Sequence, residues 1–364
     1  MRKFAFLIFA ALSLHVFGQG NQMFEEPKVD KRVELLSIVF RLAGNSEYNA
    51  TQFKLYTDKI EQHFGPFKNH ELIKFAEKLR NENEISFDVV MSMAVHIDEN
   101  LNPRTEFAES SLEQRWDKDD AVEFVRLLQS FYKESKFEEF FKDNEKLYRE
   151  ATVRFLPVYD LLDLDWHNSF YGENPSEKFS VILALGNGRS SYGVDYKGAD
   201  DKREAYVLLG AGSVDNVGMV EYETEINTIF PILVHEFNHS YVNPLLDKYN
   251  ELFRLNGEKI FKILEPEMRS QAYDDWKTVL DEALVRASVI KYLIDHDYDK
   301  ALIESLSDHE ISSGFLWIRN LVAELEKYDS QRNLYPTLES YIQNLAEAYN
   351  SFAETVVNSQ SISE

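Results

Sequence analysis

The residues able to do chemistry are concentrated in one short stretch, Phe230-Pro231-Ile232-Leu233-Val234-His235-Glu236-Phe237-Asn238-His239-Ser240-Tyr241. Histidines at i and i+4 of a helix lie on one face, a turn apart, so both imidazoles can reach one metal ion. Glu236 directly follows the first histidine, where its carboxylate can accept a proton from a metal-activated water. The pattern points to one zinc ion per chain, since zinc lowers the pKa of a bound water to about 7 and so provides a nucleophile near neutral pH. The plainer alternative is two outward-facing histidines on an ordinary helix, with Glu236 a surface charge. The apolar side chains of Ile232, Leu233, Val234 and Phe237 around the motif weigh against it.

A catalytic zinc site takes a third protein ligand and keeps a fourth position open. The chain has no cysteine, and Val242 and Leu245 occupy the positions where a longer His-x-x-Gly-x-x-His motif would continue. Glu282, 43 residues after His239, is the best candidate: it opens the apolar run Ala283-Leu284-Val285-Arg286-Ala287-Ser288-Val289-Ile290. A carboxylate on a helix buried on most sides is costly unless it is paired or bound to metal. The competing role for Glu282 is an ion pair with Arg286 at i+4. The two roles are compatible, because Arg286 can orient a ligating carboxylate. Asp281 is the alternative ligand, and Glu258, Glu265 and Glu267 fall in a more polar stretch.

These residues need elements to hold them. Asn227 or Thr228 can cap a helix over 229–242, with Pro231 in its first turn and Asn243-Pro244 as its stop. A second helix is expected near 274–295. Between about 178 and 223, Phe179-Ser180-Val181-Ile182-Leu183-Ala184-Leu185 and Ala205-Tyr206-Val207-Leu208-Leu209 are β-favouring and bounded by glycines, which reads as a small sheet. From Val29 to about Tyr148 apolar residues recur at helical spacing with no visible chemistry. The expected fold is α+β and predominantly helical, with a leader at 1–18, a helical N-terminal region at 19–150 and the chemical domain at 151–364. Asp163-Leu164-Asp165-Trp166-His167 has acids and a histidine, but the spacing is that of a solvated helix end rather than a ligand set.

Composition narrows the function classes. Met1-Arg2-Lys3 followed by Phe4-Ala5-Phe6-Leu7-Ile8-Phe9-Ala10-Ala11-Leu12 and Gly18 has the form of a cleavable export signal, too short to span a bilayer. The mature chain is then expected in the periplasm or outside the cell, without stable membrane insertion. The net charge is −24, and loss of Arg2 and Lys3 makes it more negative still. Such a field repels phosphate backbones, so nucleic acid is excluded as an expected partner. With no cysteine, disulfides, thiol catalysis and lipid anchoring through cysteine are excluded as well. There is no Gly-x-Ser-x-Gly elbow and no nucleotide-binding glycine loop.

His235-Glu236-x-x-His239 with a later helical Glu282 resembles the gluzincin group of zinc metallopeptidases. The stretch His-Glu-Phe-Asn-His-Ser-Tyr-Val-Asn-Pro-Leu (235–245), with Glu-Ala-Leu-Val-Arg-Ala (282–287), is more closely similar to an uncharacterised family of exported Bacteroidetes proteins, over roughly 150–364. The resemblance implies a zincin-like core, His235, His239 and Glu282 as ligands, Glu236 as general base, and a peptide or protein substrate. Two positions depart from the gluzincin pattern: Arg286 stands where many members have an acid, and Asp281 where some have asparagine. The resemblance also implies an edge strand beside the metal, for which Gly210, Ala211 and Gly212 or the segment 186–193 are candidates, and an oxyanion donor, for which Tyr192 and Tyr241 are candidates. A zinc hydrolase of amide bonds in cell-wall or glycan fragments, and a non-catalytic binding protein on the same scaffold, are the alternative readings.

Overall fold

The computed structural model describes residues 24–108, 111–173, 178–198, 202–222, 229–271 and 273–360. The expected leader and the candidate caps Asn227 and Thr228 lie outside them. The chain opens with strand β1 (Phe24–Lys28), followed by helices α1 (Lys31–Leu42), α2 (Lys54–Phe64), α3 (Glu71–Asn83), α4 (Asp88–His96), α5 (Lys118–Glu134), α6 (Phe137–Asp143), α7 (Glu145–Tyr159) and α8 (Leu164–Tyr171). Strands β2 (Lys178–Ala184), β3 (Tyr192–Lys197), β4 (Arg203–Gly210), β5 (Ser213–Val214) and β6 (Val220–Glu221) come next. Helices α9 (Ile229–Lys248), α10 (Asn250–Ser270), α11 (Trp276–Asp295), α12 (Lys300–Ser312), α13 (Ile318–Ser330) and α14 (Ile342–Gln360) complete the chain. The protein is predominantly helical with a small mixed sheet, as an α+β fold requires.

The main sheet has the order β1-β2-β4-β3, with β1, β2 and β4 parallel and β3 antiparallel to β4. One strand of it was not expected: β1 comes from the region read as wholly helical. Its five residues, Phe-Glu-Glu-Pro-Lys, carry too little apolar alternation to signal a strand, and pairing with β2 supplies what propensity does not. The interior strands β2 and β4 are apolar runs because both of their faces are covered.

Register decides which side chains share a face. Gly193 pairs with Val207, Asp195 with Ala205, and Ala205 with Phe179, so these point one way. That face meets α9, where Phe179 packs against Phe237 at 4.9 Å between ring centroids. The opposite face, bearing Tyr196, Glu204 and Tyr206, meets α4 and the segment after it. There the Arg104 guanidinium lies 3.6 Å from the Tyr196 ring and pairs with Glu204 at 2.7 Å. The sheet is thus sandwiched between the N-terminal helices and the helical C-terminal half.

The N-terminal layer also grips the turn after β2. Glu34, fully buried on α1, accepts hydrogen bonds from the backbone N–H of Leu185 at 2.7 Å and Gly186 at 3.4 Å. Burial pushes its carboxyl up to about 7. Gly186 allows this approach, since a Cβ there would stand 2.6 Å from that of Ser37.

Helix α9 continues past Asn243-Pro244 to Lys248, correcting the expected stop. Proline removes one N–H from the helix and disfavours it in the preceding residue, a penalty of about 3 kcal/mol in an interior position. Here Leu245 and Leu246 beyond it are buried, and that packing outweighs the local preference. Pro231 is the third residue of the helix, where its missing N–H has no intrahelical partner to lose.

Behind α9, His167 is wholly buried against Phe237, Tyr241 and Tyr292. Its Nδ1 donates to the Asp163 carbonyl at 2.8 Å, while Asp163 caps α8 through its side chain. These residues are structural. Burial lowers the His167 pKa to about 3 from its ordinary 6.5. Below pH 6.5 the unfolded chain therefore takes up a proton that the folded one refuses, and stability falls as the pH drops from 6.5 towards 3. In thermal melts between pH 7 and 5, His167→Phe is expected to lose less Tm than the wild type. Equal losses would remove His167 from the acid sensitivity.

Candidate metal centre

The site lies where α9 and α11 cross beneath the edge strand β3. Both helices are apolar on most faces and enclosed: Leu233, Val234, Phe237 and Val242 of α9 and Val279, Ala283, Leu284 and Ala287 of α11 are buried. Asp275 caps α11 by accepting from the N–H of Lys277 and Thr278 at 2.8 and 3.0 Å, which fixes the helix start and places Glu282 in its second turn.

The three expected ligands converge. His235 Nε2 and His239 Nε2 are 3.1 Å apart, and the two Glu282 oxygens lie 3.5 Å from His235 Nε2 and 3.4 Å from His239 Nε2. Among the described residues this is the group of histidines and acids able to hold a metal ion, with one ligand atom of each within 4.8 Å of the others. His239 Nδ1 bonds Asn243 Oδ1 at 3.0 Å, which orients the ring and leaves Nε2 facing the other two ligands.

The electrostatics suit a cation. Burial dominates at His235 and lowers its pKa to about 3, with His239 and Arg286 opposing a second charge nearby. Burial also acts against a charge on His239, but hydrogen bonding and attraction to Glu282 outweigh it and raise the pKa to about 9. Glu282 is lowered to about 2: its neighbouring histidines and Arg286 overcome the desolvation that alone would raise it. Two imidazole nitrogens aimed at one another beside a carboxylate enclose a space that a cation would fill. A metal dication would satisfy the same three groups, and this donor set of two nitrogens and one carboxylate is that of open catalytic zinc sites.

Around the ligands, Arg286 contacts Glu282 at 3.2 Å, donates to Glu310 at 2.7 Å and donates to the Tyr273 hydroxyl at 2.8 Å. Tyr273 in turn lies 3.3 Å from Glu282 Oε2. Arg286 therefore orients the carboxylate as expected, while Tyr273 and Glu310 were missed. Neither carries a motif, and 37 residues separate Tyr273 from Glu310. Asp281 points elsewhere, to Lys277 at 3.4 Å, and Lys277 also binds Asp247 at 2.6 Å.

Glu236 lies on the floor of a cleft of about 600 Å³ bounded by β3, β4, α9 and α11. Burial raises its pKa above the usual carboxylate value. The strand passing over it is β3: a Cβ at Gly193 would stand 2.4 Å from Glu236 Oε2. This corrects the expectation for Gly210, Ala211 and Gly212. Gly210 ends an interior strand and admits its own chain, since a Cβ there would meet the carbonyl oxygens of Gly188 and Ser190 at 2.5 and 2.6 Å. The other candidate segment, 186–193, reaches the cleft only at its last residue.

Neither tyrosine candidate reaches the ligands. Tyr192 lies on the face of β3 opposite Gly193. Tyr241 stacks on Tyr171 behind α9 and donates to Asn168 at 2.9 Å. Tyr273 lines the cleft instead.

A family model described as a domain of unknown function, DUF4932, matches residues 27–348. The chain belongs to the DUF4932 family. The match takes in the N-terminal helices as well as the sheet and the site, so the family unit begins far upstream of residue 150. No curated protein and no solved structure matches the chain.

Protein purified without chelator or affinity nickel is expected to hold about one divalent transition-metal ion per chain by mass spectrometry. Glu282→Ala should lose the ion and Asp281→Ala should keep it. Retention in Glu282→Ala would exclude the three-ligand centre.

Proposed function

We propose that this protein is an exported zinc-dependent metallohydrolase of the gluzincin type that cleaves peptide bonds. The observation that carries the reading is the convergence of His235, His239 and Glu282 with Glu236 beside them in an open cleft. His235, His239 and Glu282 would hold the zinc, which when bound would supply Lewis acidity toward a carbonyl and a water acidic enough to act near neutral pH.

The chain's own residues account for the remaining steps. Glu236 accepts the proton of the attacking water and returns it to the leaving amine, a role suited by the raised affinity for protons that burial confers. Gly193 keeps the space above Glu236 clear. Tyr273, held by Arg286 and facing the cleft, gives its one hydroxyl proton to Glu282 at 3.3 Å and would donate to a developing oxyanion only by turning from that carboxylate. Peptide rather than another amide is favoured by β3, because an edge strand beside the general base can pair with an extended backbone. The apolar segment after Arg2-Lys3 supports export, and no described helix is long and apolar enough to cross a membrane.

With a pool of quenched fluorescent peptides, Glu236→Gln should retain the metal and lose about 100- to 10,000-fold in kcat, the range attributable to a general base. Gly193→Ala should also keep the metal and melt near the wild-type temperature while kcat falls at least about tenfold, because the clash falls on the mobile end of Glu236. Full turnover by Glu236→Gln would refute the mechanism.

A further inference from the structure

Helix α12 packs against α11 with little apolar anchorage of its own. The residues it buries fully are Ser307 and Glu310, neither of them apolar, whereas α11 buries Val279, Leu280, Leu284, Val285, Ile290 and Leu293 among others. Leu302, Ile303, Leu306 and Ile311 are covered only in part. Ser307 turns its hydroxyl back to the Ile303 carbonyl of the same helix at 2.8 Å. The ion pairs that Arg319 of α13 makes with Glu304 and Asp308 lie at the surface, where such pairs contribute little. An element with few buried apolar contacts opens locally at low free-energy cost. What holds α12 from within is Glu310. Its carboxylate meets Arg286 at 2.7 Å, and Phe315, buried just past the helix, has its ring 4.8 Å from the same guanidinium.

The other side of that guanidinium holds Glu282, at 3.2 Å. One cation therefore stands between an expected metal ligand and the buried acid of a lightly packed helix. With α12 docked, Glu310 takes up part of the charge of Arg286, and the set of Glu282, Arg286 and Glu310 is negative by one charge. With α12 undocked, the whole charge of Arg286 falls on Glu282. It then competes with a dication for the carboxylate and repels the dication directly, and the carboxylate loses the brace that fixes its angle. Docking of α12 thus favours metal binding. By linkage, a bound metal favours docking by the same factor.

We infer that Glu310 is a positioning residue for Glu282, acting through Arg286, and that metal binding and the docking of α12 are coupled through this contact. The inference rests on the three-ligand metal centre and not on the peptidase reading, so it holds whichever bond the site acts on.

The first measurement uses the unaltered protein. Amide hydrogen exchange, followed by mass spectrometry, is compared in metal-free protein and in protein saturated with zinc. Peptides from 300–312 should exchange about tenfold or more slowly with zinc bound, while those of α3, in the N-terminal layer, should not change. The second measurement is zinc affinity by competition with a chromophoric chelator. Glu310→Gln should weaken binding by about 10- to 100-fold and abolish the zinc-dependent slowing over 300–312. Glu304→Gln, which removes a surface pair of the same helix, should bind within about twofold of the wild type. Zinc binding by the wild type with exchange over 300–312 unchanged would overturn the coupling and leave the metal centre in place. Affinity in Glu310→Gln equal to the wild type would overturn the positioning role. A wild type that takes up no zinc would remove the metal centre and the coupling with it. If Glu310→Gln does not fold, the wild-type exchange decides alone.

Discussion

Three polar groups are brought to within 3.5 Å of one another where two largely apolar helices meet the sheet, and the rest of the architecture follows from that constraint. Imidazole and carboxylate groups withdrawn from water are costly unless they are hydrogen-bonded, paired or ligated. His235 and His239 occupy one face of α9, and Glu282 comes from α11, so the cost is met only if the two helices keep their crossing. A helix turned by one residue rotates its side chains by about 100° and would swing the ligands apart. This accounts for the enclosure of α9 and α11 on nearly all other faces.

The N-terminal third belongs to the same mechanism of positioning. Strand β3 has β4 on one side and, among the described residues, no strand on the other, so its height above Glu236 is fixed by what lies behind it. Behind it stand α4 and the stacked Arg104–Tyr196–Glu204 group, while α1 anchors the turn after β2 through Glu34 and Ser37. The N-terminal helical layer thereby sets the gap between Gly193 and Glu236. The family match, which begins at residue 27, covers this layer together with the site.

Much of the centre was legible in the sequence because it obeys local rules. The i,i+4 spacing of His235 and His239 has one geometric meaning on a helix, and the carboxylate of Glu282, at the head of an apolar run, needs a partner. Arg286 was legible for the same reason, one turn from Glu282. What escaped depends on tertiary contact. Tyr273 belongs to the loop before α11, and Glu310 is brought in by the return of α12; neither relation is encoded in spacing. The glycines misled in an instructive way. Gly210 and Gly193 are alike in sequence as glycines in β-strands, and both permit close approach. Only the sheet order tells that one meets its own chain and the other meets Glu236. Pro244 misled because burial of the residues beyond it overrides a local preference, and β1 was hidden because pairing, not propensity, makes it a strand.

Arg286 ties these observations together. An acid at this position would add negative charge beside Glu282, whereas the guanidinium adds a positive one and reinforces the two histidines in keeping Glu282 ionised against its burial. Its planar fork donates in different directions to Glu282, Glu310 and Tyr273, while its face lies 4.8 Å from the Phe315 ring. A lysine ammonium is a point charge on a flexible stem and could not hold three acceptors at fixed angles while stacking on a ring. The cost of burying this cation is offset by two carboxylates rather than one. The second carboxylate, Glu310, comes from α12, so that helix reaches the carboxylate of Glu282 through Arg286. A shift of α12 would therefore be felt at Glu282, two contacts away through Arg286.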